Sequence, residues 1–462
     1  MSPSDFKNKR VTLTGLGLHG GGVALARWLL RHGARLTVTD LKTAKELAPS
    51  VAAVRRAGRA HFVLGRHRKA DFTNADLVIQ NPGVPKESPY IRAAERADVP
   101  VENEASLFFQ MCPAPIIGVS GTRGKSTTTR LIFEMLRAAK IPAVFGGNIR
   151  EVAMFDLLDR VRAARRKPWV VLELSSWHLE RFPAHRLHPR VAVLTSIFPD
   201  HLNRYRGMKE YIAAKENLTR FQGPDDVTVV NRDNAETRKL GKRVPGGRLW
   251  FSAKSFPEEN GAFVRGGAMV VREDGKETRV CAVKDIMLPG AHNVMNVLAA
   301  ATAAKAVGVP NAAIRSALRR FRGLPHRLEF VREVRGIKFY NDTAATSPDA
   351  AIAALRTFAG EKVILIAGGS DKNLQFGALA KAIQKYAKEV VLLPGSATEK
   401  LQKALHRKAR PVSSMREAVR AAVSAAQEGD IVLLSPGAAS FGLFKHEFDR
   451  GDQFVRAVRA LR

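Results

Sequence analysis

Cysteine is nearly absent: the 462 residues contain two, Cys112 and Cys281, far apart and without metal-ligand spacing. That argues against a disulfide framework and fits a reducing cytoplasm. No apolar run is long enough to span a bilayer, and Met1-Ser2-Pro3-Ser4-Asp5 lacks the apolar stretch of a signal peptide, so no membrane association is expected. Acidic residues are in short supply, 43 Asp and Glu against 75 Lys and Arg, for a net charge of +32. Such a field attracts polyanions and permits a nucleic-acid-binding protein as one reading. The basic residues are spread along the chain, however, in short runs such as 66–69 and 162–167. Zinc-finger spacing and an RNA-recognition aromatic motif are both missing, and no specific nucleic-acid partner is expected.

What is present is an alternation of apolar strands and helical patterns, the signature of parallel α/β sheets. The length predicts two or three domains. Val11-Thr12-Leu13-Thr14 reads as a strand, followed by Gly15-Leu16-Gly17-Leu18-His19-Gly20, a helical pattern over 23–32, and a second strand over 36–39. A third strand at 77–79 runs into Asn81-Pro82-Gly83. Pro113-Ala114-Pro115 reads as a linker, and Ile116-Ile117-Gly118-Val119 as a buried strand. Further strands are expected at 169–172, 191–194 and 227–230, and helices over 127–140 and 211–220. The Gly-rich stretch 241–285 reads as short antiparallel strands. A last block has strands at 363–367, 390–393 and 431–434. The expectation is three α/β domains in tandem: a Rossmann-like domain over 1–112, a central P-loop ATPase-type domain over 113–322, and a Rossmann-like domain over 323–462.

Two loops carry chemistry. Gly121-Thr122-Arg123-Gly124-Lys125-Ser126 lies between a strand and a helix, where glycines let backbone N–H groups approach phosphate and the helix N-terminus favours negative charge. Lys125 is placed for the β and γ phosphates of ATP, and the Ser126 hydroxyl for Mg²⁺. Gly15-x-Gly17-x-x-Gly20, with Asp40 twenty residues beyond, fits the dinucleotide fingerprint and by itself would permit an NAD-dependent dehydrogenase. Two nucleotide loops in adjacent domains are met more economically by a nucleotide-linked substrate in the first and ATP in the second. Glu173, in Glu173-Leu174-Ser175-Ser176, ends a predicted strand and is a candidate Mg²⁺ ligand. His201, in Phe198-Pro199-Asp200-His201-Leu202-Asn203, follows another strand and is expected in the same cleft.

Eight ordered motifs together resemble the Mur ligases, cytoplasmic enzymes that build the peptide stem of peptidoglycan. They are Ser120-Gly-Thr-Arg-Gly-Lys-Ser-Thr127, Glu173-Leu-Ser-Ser176, Pro199-Asp-His-Leu202, Tyr211-Ile-Ala-Ala-Lys215, Gly290-Ala-His-Asn-Val-Met-Asn296, Gly323-Leu-Pro-His-Arg327, Tyr340-Asn-Asp-Thr343 and Leu434-Ser-Pro-Gly437. Asn341-Asp-Thr-Ala-Ala-Thr-Ser-Pro348 is similar to the segment of the glutamate-adding branch. The resemblance implies an ATP-dependent, Mg²⁺-requiring ligase that activates a UDP-linked muramoyl-alanine as an acyl phosphate and adds glutamate. A cytoplasmic monomer acting on small molecules is expected.

By the same resemblance, Lys125, Glu173, His201, Lys215 and Arg327 are catalytic. Ser126 and Glu173 would hold one Mg²⁺, and His201 a second with Lys215, which the family carbamylates. Gly121, Thr122, Arg123, Gly124, Thr127, Asn293, Asn296, Arg327 and Asp342 fall at ATP positions. Leu18, His19, Asp40, Leu41 and Lys42 would lie near the uridine, Asn148 would face the diphosphate, and Ser175 falls with the substrate residues. Thr346, Lys372 and Ser440 match the glutamate pocket. Three departures stand out: Arg123 replaces the usual Asn, Ala344 a common Lys, and Glu447 a pocket Phe. The last two touch the glutamate pocket and leave open a variant that accepts L-glutamate. A related folylpolyglutamate-type or other amino-acid ligase is the neighbouring alternative.

Overall fold

The structure, a computed structural model, describes residues 1–461 except His19, Arg150, Glu151, Leu202, Asn203, Glu258, Lys372, Asn373, residues 407–409 and Phe441. Three sheets follow one another along the chain. The first holds β1 Arg10–Thr14, β2 Arg35–Asp40, β3 His61–Leu64, β4 Leu77–Gln80 and β5 Val101–Glu102, all parallel, in the order β3-β2-β1-β4-β5. The order reverses between β1 and β4, which opens a crevice beyond their C-terminal ends. The glycine loop after β1 and Asn81-Pro82-Gly83 after β4 meet there, with the Asn81 N–H donating to the Thr14 carbonyl at 3.0 Å.

The second sheet contains β6 Ile116–Ser120, β7 Ala143–Gly147, β8 Trp169–Glu173, β9 Val191–Leu194, β10 Val227–Asn231, β11 Gly247–Ser252, β12 Gly261–Arg265, β13 Ala268–Glu273 and β14 Lys276–Ala282. Its order is β14-β13-β12-β11-β10-β9-β6-β8-β7. The expected antiparallel reading of 241–285 needs correction. β11 and β12 extend the sheet in parallel, and only the β12–β13 and β13–β14 pairings are antiparallel. Alternating polarity reports one solvent-facing side and not strand direction, and the eight residues between β11 and β12 need no helix to return the chain. β7 carries Gly146 and Gly147, which hid it from a propensity reading. The expected helix over 211–220 ends earlier, as Met208–Glu216.

The third sheet has β15 Glu329–Val334, β16 Ile337–Asn341, β17 Val363–Gly368, β18 Ala387–Leu393, β19 Arg410–Pro411 and β20 Ile431–Leu434, in the order β15-β16-β20-β17-β18-β19. It is parallel apart from the β15–β16 hairpin.

The chain forms two compact units, 1–285 with 294–319 and 286–293 with 320–462. Within the first, the largest apolar cluster draws on both sheets. Its pivot is Trp28 on the helix Gly21–Arg31, edge-on to Phe6 at 5.2 Å and to Phe155 of the helix Met154–Ala163 at 5.0 Å. The Trp28 indole N–H donates to Asp159 at 2.7 Å, so this buried aromatic leaves no donor unpaired. Among the described residues no helix is long and apolar enough to cross a membrane.

Candidate nucleotide and ligation site

β6 is buried along its whole length, and its neighbours β8 and β9 run parallel to it on either side. Three strand ends therefore deliver their following residues to one edge: the loop 121–124 from β6, Glu173 from β8, and Thr195-Ser196 from β9. The loop is pinned from the side. The Thr122 N–H donates to the Ser196 carbonyl at 2.6 Å, and the Thr195 hydroxyl donates to the Arg123 carbonyl at 2.6 Å. Gly121 has φ 146°, and a Cβ there would collide with the Thr195 hydroxyl and the Ser196 backbone. One on Gly124 would strike the Asn296 side chain, so Asn296 lies against the loop. Lys125, Ser126 and Thr127 form the first turn of the helix Lys125–Ala138. Arg123 is exposed, its guanidinium 5.9 Å from the Phe198 ring.

Two lysines converge on one carbonyl. Lys125 Nζ donates to the Gly121 carbonyl at 3.0 Å and to that of Thr122 at 3.1 Å, and Lys215 Nζ donates to Gly121 at 2.9 Å. Lys215 sits in the last turn of the helix Met208–Glu216 with only 1% of its surface exposed. Burial, reinforced by the charge of Lys125 and opposed by Asp200 and Glu173, holds its ammonium pKa well below the ordinary lysine range. Burial thus favours the neutral amine at this lysine, where its place on a helix alone reads as a solvated cation.

Glu173 is 2% exposed. One carboxylate oxygen accepts from the Asn148 side-chain amide at 3.0 Å, while Oε2 is buried with no hydrogen-bond partner. An orphaned carboxylate oxygen beside a phosphate loop is what a divalent cation requires, so the donor set fits Mg²⁺. Among the described residues there is no group of three or more His, Cys, Asp or Glu able to hold a metal. The Ser126 hydroxyl and nucleotide phosphate oxygens would have to supply the remaining ligands. Asn148 thus orients Glu173, in addition to the diphosphate contact expected of it.

His201 adopts φ 53° and lies half-buried, its ring 4.9 Å from Trp177 and 6.2 Å from Tyr211. Burial lowers its pKa; Asp200 opposes that shift, and Lys125, Lys215 and Arg204 reinforce it. The ring is a neutral imidazole at pH 7, the form that can bind a metal. Tyr211, which the sequence reading did not single out, has its hydroxyl 3.0 Å from that of Thr122. Its only signal was its place at the start of the Tyr211-Ile-Ala-Ala-Lys215 motif. Ser175 caps the short helix Ser176–Leu179, its hydroxyl accepting from the His178 N–H at 3.2 Å.

In the first sheet's crevice Asp40 is buried and holds the glycine loop, accepting from the Gly17 N–H at 3.2 Å and the Lys42 N–H at 3.0 Å. Leu18 and Leu41 are 50% and 66% exposed, and Lys42 is exposed as well. His19 lies outside the described residues, as does Lys372.

The second unit carries its own cluster. Asp342 is buried, accepting from the Leu328 N–H at 3.2 Å and the Ser435 hydroxyl at 2.8 Å, and burial raises its pKa to about 7. Arg327 is exposed, but its charge acts on Asp342. The Asn293 side chain donates to the Pro289 carbonyl at 2.7 Å. Thr346 is half-buried and Ser440 buried. Between their loops runs Arg450, missed from the sequence. It is fully buried and donates to the Thr343 hydroxyl and carbonyl at 3.0 Å and to the Ala438 carbonyl at 3.1 Å. Desolvation lowers its pKa to about 10, which leaves it charged at pH 7.

Comparison with known proteins matches three successive stretches of the chain. Residues 9–103 match the Mur ligase MurD-like N-terminal domain, 119–304 the Mur ligase middle domain, and 326–437 the Mur ligase glutamate ligase domain. Over 98% of both chains the sequence is 44% identical to the UDP-N-acetylmuramoylalanine–D-glutamate ligase of Roseiflexus sp. (strain RS-1). With that of Symbiobacterium thermophilum it shares 38% identity, again over 98% of both. Among solved structures, the UDP-N-acetylmuramate-alanine ligase of Thermotoga maritima aligns with a TM-score of 0.63 at 23% identity, over 98% of this chain and 100% of that one. At that identity the likeness speaks for the three-domain α/β fold alone.

Proposed function

The chain belongs to the Mur ligase family of ATP-dependent, amide-forming ligases, and from that premise we propose that it joins D-glutamate to UDP-N-acetylmuramoyl-L-alanine in cytoplasmic peptidoglycan synthesis. One observation carries the reading. In a chain so similar to curated D-glutamate ligases along its length, the phosphate loop gathers Lys125, the buried Lys215 and the partnerless oxygen of Glu173. We take 1–112 as the nucleotide-substrate domain, 113–322 as the ATP domain and 323–462 as the amino-acid domain.

A carboxylate does not accept an amine directly, because its oxygen is a poor leaving group. The alanyl carboxylate would attack the γ-phosphate of ATP, giving an acyl phosphate and ADP. The glutamate amine would then attack the acyl carbon, and phosphate would depart. Catalysis of this kind is positioning and charge neutralisation. Lys125 would turn from the loop carbonyls to the β and γ phosphates. Ser126 and Glu173 would hold one Mg²⁺, and His201 a second, which when bound neutralise phosphate charge and polarise the transferring group. Asn148 keeps one Glu173 oxygen occupied and the other directed. Lys215, whose burial favours the neutral amine, would attack CO₂ through its lone pair and release a proton. The resulting carbamate would set an anion beside the metal ions in place of a neutral amine.

Leu18, His19, Asp40, Leu41, Lys42 and Ser175 are assigned to the nucleotide-linked substrate. Asn293, Asn296, Arg327 and Asp342 are assigned to ATP, and Thr346, Lys372 and Ser440 to glutamate. Incubation with ATP, Mg²⁺ and UDP-N-acetylmuramoyl-L-alanine should release phosphate on addition of D-glutamate and not of its enantiomer. Release with neither sinks the proposal, and release with L-glutamate alone reassigns the pocket around Ala344 and Glu447.

A further inference from the structure

Among the buried ionisable groups of the first unit that the ligase chemistry does not use, Glu104 lies beside the glycine loop's helix. Glu104 opens the helix Glu104–Met111, whose cap Asn103 accepts from the Ser106 N–H at 2.8 Å. A glutamate in the first turn of a helix is ordinary when solvent covers it. This one is 9% exposed, and its Oε1 is buried without a hydrogen-bond partner. The other oxygen lies 3.1 Å from where a Cβ on Gly21 would be. Gly21 begins the helix Gly21–Arg31, directly behind the glycine loop. The carboxyl also faces the backbone N–H of Met154, the first residue of the helix Met154–Ala163. Three helix starts therefore meet at one carboxyl.

A helix start behind a glycine loop is where a substrate diphosphate is bound. Here that start already has an acid beside it. We propose that Glu104 tunes the nucleotide-substrate site from behind the glycine loop, its carboxyl sharing the Gly21 helix start with the substrate diphosphate, so that substrate binding takes up a proton at this residue. The proton comes from solvent and is returned when the nucleotide product leaves. The inference rests on the assignment of the nucleotide-linked substrate to this loop.

The electrostatics agree with the geometry. Burial raises the Glu104 pKa to about 7, the Met154 N–H opposes the rise, and the charge of Asp156, from the helix packed against it, adds to it. The first turn of Gly21–Arg31 and the remainder of Glu104–Met111 contribute no charged side chain. A dianionic diphosphate raises the pKa further. Between the free and bound pKa values each complex gains up to one proton, so affinity weakens as pH rises through that window.

The test is the KM for UDP-N-acetylmuramoyl-L-alanine, at saturating ATP and D-glutamate, from about pH 6 to about pH 8.5 in wild type and Glu104→Gln. The diphosphate of this probe is a diester without a group titrating in the range. Wild-type KM should climb about tenfold relative to the variant across the range, a unit of pKa coupling being worth one factor of ten. The KM for ATP should follow one profile in both proteins. Parallel nucleotide-KM profiles overturn the inference. Should Glu104→Gln fail to fold, calorimetric titration of wild type with the same probe at about pH 7.5, in two buffers of unlike ionisation enthalpy, decides. Fractional proton uptake supports the inference and none overturns it. Loss of nucleotide binding altogether would remove the substrate assignment, whereas binding without proton uptake removes this inference alone.

Discussion

Two glycine-rich loops in the same unit join a parallel strand to a helix, yet their surroundings have opposite sign. The loop 121–124 has Lys125 and Lys215 donating to a single one of its carbonyls. The loop 15–20 has Asp40 on its Gly17 N–H and Glu104 behind its helix start. The first is built for a polyphosphate carrying several negative charges. The second already holds two carboxylates, so on the proposed reading the diphosphate of the nucleotide-linked substrate would meet acid groups there and not lysines. A glycine pattern between strand and helix thus fixes backbone shape, and the side chains brought in from elsewhere decide what charge it accepts.

The comparison breaks most sharply at the cations. Lys125→Ala should lower kcat/KM for ATP on the order of 10³-fold, the usual cost of losing a preorganised charge at a transferring phosphoryl group. A loss under tenfold, measured by steady-state phosphate release, would take Lys125 out of the chemistry. Gly121→Ala comes next. Its methyl group would push against Thr195 and Ser196, and a shift of about 1 Å in the loop is enough for a loss on the order of 10²-fold. Circular dichroism should show the fold intact, because the displacement is confined to the loop.

The phosphate loop was legible in the sequence because its chemistry sits on consecutive residues after an apolar run, and the fold class because strands and helices alternate. The state of Lys215 was not. A lysine on a helix reads as a solvated side chain, and only the packed structure shows it buried with its amine on the Gly121 carbonyl. Glu104 was invisible for a related reason: it lies far along the chain from Gly21, and a helix-initial Glu before an apolar run reads as solvated. Arg450 stands three residues beyond Glu447 in the chain, but its burial against Thr343 and Ala438 depends on strand order. Contacts made by chain return across a sheet leave little trace in a local pattern, as the parallel β11–β12 pairing also shows.

The two loops should also respond to pH with opposite sign. Glu104 has a folded pKa above its unfolded value, so the native state binds the extra proton and stability falls as pH rises from about 4.5 to about 7. Glu104→Gln should therefore gain on wild type above about pH 7, by on the order of 1–3 kcal/mol, and lose that advantage below about pH 4.5. Lys215 has a folded pKa below its unfolded value, so the unfolded chain binds the extra proton and stability rises with pH toward the ordinary lysine range. In CO₂-free buffer Lys215→Met should gain on wild type as pH falls from about 10 to about 6. Urea midpoints of both variants across pH measure this, and slopes of the same sign would dissolve the contrast.

The smallest effect is expected at Gly17, and it separates shape from charge. Gly17 has φ 65°, but a Cβ built there meets nothing within 4 Å, unlike the one at Gly121. Gly17→Ala therefore adds only the left-handed backbone penalty, about 1–2 kcal/mol of stability, which a shifted urea midpoint would register. The Asp40 carboxylate still holds the Gly17 N–H in the variant, so the loop keeps its anchor. The KM for the nucleotide-linked substrate should move by less than about fivefold, about 1 kcal/mol, with kcat unchanged, because the backbone strain is carried by the free and the bound enzyme alike. A loss of turnover as deep as that from Gly121→Ala would mean that the first loop, like the second, is held by close steric fit, and that its carboxylates are incidental to what it binds.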